Sequence, residues 1–310
     1  MNTLRELLED YLGTRRALGF KLRSIGAGLW TFVAFMEAGQ TNYITIERAL
    51  AWAKQSTSVR PERWARRLSY VRGFARYCSA IDARTEVPPV ELLPFSYRRP
   101  TPYFFTDNDI QRLLQAALQW PAKQYFEAQT LYCLFGLLSV SGLRICEALG
   151  LTLEDVDLEE GILSIHSSKF GKSRLIPLHE TTAKVLADYT ERRAQLPGIH
   201  QASHFFVNPY GARLSYDTVH DSFQHLSEAV GLGARTDGRR PHLHDLRHRF
   251  ALLTLLHWYR DGQDVERRLP VLSAYLGHVE VSSTYWYLSA WPELLGAAKA
   301  RLEQRWEHTS

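Results

Sequence analysis

The stretch Gly161-Ile-Leu-Ser-Ile-His-Ser-Ser-Lys-Phe-Gly-Lys-Ser-Arg-Leu-Ile-Pro-Leu178 decides the fold class. Two short aliphatic runs, Gly161–His166 and Arg174–Leu178, flank a polar loop containing Gly171, which is the pattern of a β-hairpin. Lys169 and Lys172 stand at its tip. A lysine on a flexible turn can reach a ligand bound on the main body, although most turn lysines only face water.

Outward from the hairpin the apolar spacing becomes helical. Upstream it predicts helices over Asp107–Leu118, Tyr125–Val140 and Arg144–Gly150, the first opened by the capping pair Thr106-Asp107. Downstream it predicts helices over Thr181–Gln195, Ser215–Val230, His244–Trp258, Arg267–Leu276 and Pro292–Trp306. Residues 4–13, 25–38, 46–55 and 61–79 read the same way. The predicted class is mainly α with a small antiparallel β-sheet. Pro88, Pro89, Pro94, Pro100 and Pro102 stiffen extended chain and mark a linker near 88–103. It separates a helical N-terminal domain, 1–98, from a mixed α/β domain, 104–310.

With 310 residues, 45% hydrophobic and 23% charged, the chain has the make-up of a globular protein of about two domains. Collagenous, disordered and low-complexity classes are excluded. Three widely spaced cysteines argue against a disulfide framework or a cysteine zinc site and fit a reducing cytoplasm. The charged start MNTLRELLED lacks the apolar segment of a signal peptide. The uncharged run from Ala128 to Leu143 falls short of the roughly 18–20 apolar residues that span a bilayer. No membrane association is expected.

The net charge of +4 is unevenly placed. Residues 1–100 hold 16 Lys and Arg against 9 Asp and Glu, leaving 21 basic and 24 acidic residues for the rest. In the segment 61–79, Trp64, Leu68, Val71 and Ala75 share one stripe. Arg60, Arg63, Arg66, Arg67, Arg72 and Arg76 lie off it, so one face can be buried while guanidinium groups meet a phosphate backbone. A solvated basic face is the plainer alternative. Arg60, Arg63, Arg66 and Arg67 are taken as candidate DNA contacts.

Three further segments carry candidate chemistry. In Ser141-Gly-Leu-Arg-Ile-Cys-Glu-Ala-Leu-Gly150, Arg144 opens a helix beside apolar neighbours and can meet an anion, or simply pair with Glu147 at i+3. Pro241-His-Leu-His-Asp-Leu-Arg-His248 admits two chemistries. His244 and His248 approximate the spacing of two zinc ligands on one helix face, with His278 or Glu280 as a third, which would give a metallohydrolase. Alternatively Arg247 clamps an oxyanion and His244 exchanges a proton near neutral pH. In Leu276-Gly-His-Val-Glu-Val-Ser-Ser-Thr-Tyr-Trp-Tyr-Leu288, a tyrosine hydroxyl can be a nucleophile toward phosphorus, although aromatic runs commonly pack in cores.

Taken in order, Gly-Leu-Arg-x-x-Glu, a lysine-bearing hairpin ending in Arg-Leu-Ile-Pro-Leu, His244-Asp-Leu-Arg-His248, and Leu-Gly-His with a tyrosine nine residues on resemble the tyrosine recombinase (phage integrase) family. The match runs from about Thr106 to the C-terminus. The N-terminal helices are similar in size and character to the family's core-binding domain. The resemblance implies two domains wrapped around double-stranded DNA and cleavage through a 3′-phosphotyrosyl link, followed by strand exchange among four protomers. It implies that Arg144 and Arg247 hold the scissile phosphate, that Lys169 protonates the leaving 5′-oxygen and that His244 exchanges the proton near the nucleophile. His278 then bonds a phosphate oxygen, Tyr287 attacks, and Glu147 orients Arg144. Tyr285 and Lys172 are the alternates in register. No cofactor, metal or ATP is implied.

The expected role is that of a mobile-element integrase or transposase, cytoplasmic and nucleoid-associated, forming dimers to tetramers on DNA, with other recombinases as further possible partners. A catalytically silent DNA-binding accessory protein is the competing reading beside the zinc hydrolase. A stripe of Trp291, Leu295, Ala298, Leu302 and Trp306 on the last helix is expected to dock on a neighbouring protomer or on its own domain.

Overall fold

The structure is a computed structural model that describes residues 3–55, 61–93, 101–120, 125–166, 173–196, 198–199, 202–234, 240–290 and 292–307. The chain divides into two compact units, Met1–Pro100 and Thr101–Ser310.

The first unit holds α1 (Leu4–Ala17), α2 (Arg23–Ala38), α3 (Ile46–Lys54) and α4 (Pro61–Ser79). Thr3 and Glu6 cap α1 reciprocally, with bonds of 3.3 and 2.8 Å. That helix runs four residues beyond the Gly13 end expected from sequence. Gly13 interrupts no packing, and the chain turns only at Gly19, whose φ is +88°. Leu8, Phe32, Trp52 and Phe74 form the buried centre, with Phe32 edge-on to Trp52 at 5.3 Å.

α4 buries Leu68, Val71, Phe74, Ala75 and Cys78. Its arginines have divided duties. Arg67 lies 4.0 Å over the Trp52 ring and donates to the Trp52 carbonyl at 3.0 Å. Arg72 donates to the carbonyls of Pro88 and Pro89 at 2.8 and 2.7 Å, tying the start of the proline-rich segment to the helix. Arg63 and Arg66 are exposed. Arg60 lies outside the described residues.

The second unit contains α5 (Asp107–Leu118), α6 (Tyr125–Ser141), α7 (Ile145–Ala148), β1 (Val156–Asp157), β2 (Ile162–Ile165), β3 (Arg174–Pro177) and α8 (Glu180–Ala194). It continues with α9 (Tyr216–Ala229), α10 (Leu243–Arg260), α11 (Val265–Leu276), α12 (Ser282–Ala290) and α13 (Pro292–Glu307). The strands form an antiparallel sheet in the order β1-β2-β3, with Leu163 opposite Ile176 and Ile165 opposite Arg174. Leu163, Ile165 and Ile176 are buried while Leu175 is 63% exposed, the two-residue alternation of a half-buried sheet.

α10 is the hub, packed against α6, α11, α12 and α13. Arg249 fixes it to the start of α5 by donating to the Phe105 carbonyl at 2.9 Å and pairing with Asp107. Within this chain α13 lies on α10, with Leu294 buried and Leu295 53% exposed. The inward leucine is therefore one position earlier than the expected stripe. Trp291 and the side chains of Leu302 and Trp306 lie outside the described residues. Besides a three-residue 3-10 turn at Leu153–Asp155, the sequence reading omitted two of the described elements. One is β1, only two residues long. The other is α12, whose Ser, Thr and aromatic residues are weak helix formers that tertiary packing holds in place.

Candidate active site

Three arginines from three separate elements converge on the C-terminal end of α11. Arg174, the first residue of β3, donates from Nε to the Tyr275 carbonyl at 2.6 Å. Arg247, on the first turns of α10, donates to the Leu276 carbonyl and to the Gly142 carbonyl, the latter at 2.8 Å. Arg144, which opens α7, donates to the Gly277 carbonyl at 2.8 Å. Three consecutive carbonyls thus each receive a different guanidinium. A helix end leaves carbonyls without intrahelical partners and carries partial negative charge, so it suits cations.

Two glycines make this convergence possible. Gly142 has φ +62°, and a Cβ there would stand 2.5 Å from the Phe250 ring, so the turn that delivers Arg144 admits little else. Gly277 has φ +64°, and its Cβ would meet Arg174 Nη1 at 2.9 Å and Arg144 Nη1 at 3.3 Å. The glycines of the Gly-Leu-Arg and Leu-Gly-His segments are therefore set by close approach as well as by backbone conformation.

Glu147 lies between two of the guanidiniums. Arg144 Nη1 and Arg174 Nη1 both donate to Oε1, at 2.8 and 3.1 Å, and Arg174 Nη2 donates to Oε2 at 2.8 Å. The Arg144 backbone N–H also reaches Oε2 at 2.9 Å. Burial alone would raise the Glu147 pKa; the bonds from Arg174 and Arg144 outweigh it and bring the carboxyl down to about 2. Arg247, 1% exposed, has its pKa lowered to about 10, by burial first and then by repulsion from Arg144. It stays charged at neutral pH. Three guanidiniums against one carboxylate make this a site for an anion.

The tyrosines separate by environment. Tyr287 is 2% exposed and lies in hydrogen-bond contact with His248, Oη to Nδ1 at 2.9 Å. It is also near enough to Arg247 for its charge to raise that arginine's pKa. Tyr285 is 50% exposed. Tyr275 donates to the Ser141 carbonyl at 3.1 Å, and burial pushes its pKa up to about 12. Of the two tyrosines in α12, Tyr287 is the buried one, packed between His248 and His278.

His244 is exposed and meets His248 edge to face, with ring centroids 4.6 Å apart. The histidine within hydrogen-bond distance of the Tyr287 hydroxyl is His248, one turn beyond His244. His278 Nδ1 is 2.8 Å from Thr284 Oγ1, and its ring stacks on that of Tyr287 at 6.4 Å. Asp245, the carboxylate of the zinc alternative, is turned back to accept from the His242 N–H at 2.8 Å. Among the described residues no three His, Cys, Asp or Glu side chains are grouped so as to hold a metal ion.

Of the site residues expected from sequence, the structure brings Arg144, Glu147 and Arg247 to the end of α11, sets His278 just beyond it against Tyr287, and leaves His244 joined to Tyr287 through His248. Lys169, with its alternate Lys172, lies outside the described residues. Arg174 was not among the expected site residues. Its signal was the alternation of β3: Arg174 falls two residues before the buried Ile176 and so on the inward face, where an arginine needs a partner.

The sequence model of the phage integrase family matches residues 103–293. The "Putative integrase/recombinase y4rB" of Sinorhizobium fredii is 50% identical over 99% of both chains. Tyrosine recombinase XerD of Pseudomonas aeruginosa is 30% identical over 77% of this chain and 74% of its own. Among solved structures, the Tn1549 transposon integrase in complex with transposon right end DNA superposes with a TM-score of 0.67 at 16% identity, covering 96% of this chain and 98% of that one. A lambda integrase(75-356) dimer bound to a COC' core site superposes with a TM-score of 0.65 at 19% identity, covering 91% and 97%. The ordered motifs, the arginines gathered with Tyr287 and these likenesses have one meaning: the chain belongs to the phage integrase family, the tyrosine site-specific recombinases.

Proposed function

We propose that this recombinase cleaves and rejoins double-stranded DNA by transesterification at a single phosphodiester, using Tyr287 of the same chain. The observation that carries this is the buried Tyr287 hydroxyl, held 2.9 Å from His248 and within electrostatic reach of the buried Arg247. Arg144 and Arg247 bind the non-bridging oxygens and stabilise the charge that grows on them in the pentacoordinate transition state. The Tyr287 oxygen bonds to phosphorus, and the bond from phosphorus to the 5′-oxygen breaks. The phenolic proton passes to the imidazole side, where His248 touches the hydroxyl and His244 lies against His248. Lys169 protonates the leaving 5′-oxygen, and His278 donates to a phosphate oxygen. Glu147 orients Arg144. The product is a 3′-phosphotyrosyl link whose ester bond energy is conserved for rejoining, so neither ATP nor a metal is used.

The 104–310 domain carries this chemistry, and the 1–98 domain, with Arg63 and Arg66 exposed on α4 and Arg60 beside them in sequence, contributes contacts to the DNA backbone. Solved recombinases of the same fold include a lambda integrase tetramer bound to a Holliday junction. That supports assembly of this chain as dimers to tetramers on DNA, and the proposed work on DNA puts it in the cytoplasm with the nucleoid. The integrase/recombinase relative supports a mobile-element role. The catalytically silent alternative has no observation in its favour.

The test uses nicked duplexes from a randomised pool, with protein–DNA adducts captured under denaturing conditions. The wild-type chain and Tyr285→Phe should form the adduct, and Tyr287→Phe should bind DNA without forming it. An adduct that persists in Tyr287→Phe, or that EDTA abolishes in the wild type, would overturn the reading.

A further inference from the structure

We propose that Arg174 is a positioning residue for strand cleavage: it holds Glu147, and through it Arg144, and locks both to the end of α11. The proposal rests on the recombinase reading above. Arg174 comes from β3, whereas Arg144 and Glu147 come from α7, so nothing in local helix geometry brings them together. Its side chain is 10% exposed. Nη1 and Nη2 each take one oxygen of Glu147, at 3.1 and 2.8 Å, in a two-pronged fork, and Nε takes the Tyr275 carbonyl at 2.6 Å. A guanidinium so engaged on three nitrogens and so little exposed is placed to fix its neighbours rather than to meet a phosphate.

The consequence falls on Arg144. An i,i+3 pair at the start of a four-residue helix is by itself weak support for a long, flexible side chain. Arg144 retains 23% side-chain exposure and several rotatable bonds. Glu147, by contrast, is 7% exposed and is held on both oxygens. The carboxylate therefore passes the rigidity of the sheet to Arg144. The Tyr275 and Gly277 carbonyls fix the two arginines to the same turn, on either side of the carbonyl that holds Arg247. Positioning within about 0.5 Å is what a preorganised clamp requires, and a supporting shell provides it. The same strand continues from the hairpin that bears Lys169 in sequence, so Arg174 ties that strand and the arginine pair to one frame.

The test separates binding from chemistry, using the nicked duplex recovered with the wild-type protein. Arg174→Met is expected to lower the single-turnover rate of adduct formation at saturating protein by about 10²-fold, with the DNA dissociation constant changed by less than about threefold. Arg174→Lys restores one donor but cannot bridge both carboxylate oxygens, so its rate should lie between the two. Because both variants act through Glu147, Arg174→Met combined with Glu147→Gln should cost little more than either change alone. A wild-type rate in Arg174→Met would overturn the proposal, as would additive losses in the double variant. Equal loss of binding and rate in both variants, or a thermal transition lost from both, would also overturn it by making Arg174 merely structural. Failure of the wild-type chain to form any adduct would instead defeat the recombinase reading itself.

Discussion

Arg247 keeps a charge where solvent barely reaches; its hydrogen bonds go to carbonyl oxygens of two turns, and the nearest carboxylate that favours its charge, Glu147, is already paired with Arg144 and Arg174. A buried charge of this kind is costly without a partner, and an incoming phosphate supplies one. Arg247→Ala should slow adduct formation by about 10²–10³-fold, measured in a single turnover. Glu147 predicts the acid behaviour of the fold. Its carboxyl lies at about 2 against 4.5 for a free glutamate, so its contribution is present above roughly pH 4.5 and is lost as pH falls through about 2. The stability gap between wild type and Glu147→Gln should be largest near neutrality, at most about 3 kcal/mol, and close on acidification in denaturant melts. At this scale Arg144 and Arg247 stand out in short spaced motifs, whereas Tyr287 is singled out over Tyr285 only by the family resemblance those motifs carry. The contact between His248 and Tyr287 could not be read from the sequence, because 39 residues separate them and only the packing of α12 on α10 brings them together.

Among the elements, the hairpin and most helices follow from apolar spacing, since each needs only local information. β1 and α12 do not, because both depend on neighbours for their state. The join between α6 and α7 is fixed more tightly than its sequence suggests. Gly142→Ala would place a methyl into the Phe250 ring and force a left-handed residue to carry a side chain, costing about 2–4 kcal/mol. A lowered melting temperature together with slower adduct formation is the expected pair of results, since Arg144 lies two residues on. The start of α5 offers a milder comparison. Thr106 accepts from the Asp109 N–H at 3.1 Å while Asp109 accepts from the Thr106 N–H at 2.9 Å. Thr106→Ala should remove about 1 kcal/mol of stability with no change in DNA affinity.

For the whole molecule, the uneven charge is the property that sequence alone shows best, because it needs no geometry. Binding to duplex DNA should weaken steeply between low and moderate salt, as phosphate contacts release counterions. A log–log plot of affinity against salt should lose about one unit of slope per phosphate contact removed in Arg63→Ala or Arg66→Ala. Which arginines of α4 face outward was not legible, because Arg67 is drawn in over Trp52 by a partner from another helix. The seclusion of Tyr287 has one more effect. A phenol walled off from water is also walled off from small electrophiles, so tetranitromethane should nitrate Tyr285 well ahead of it. Between encounters with DNA, the proposed nucleophile is shielded from such reagents by the same packing that holds it against His248.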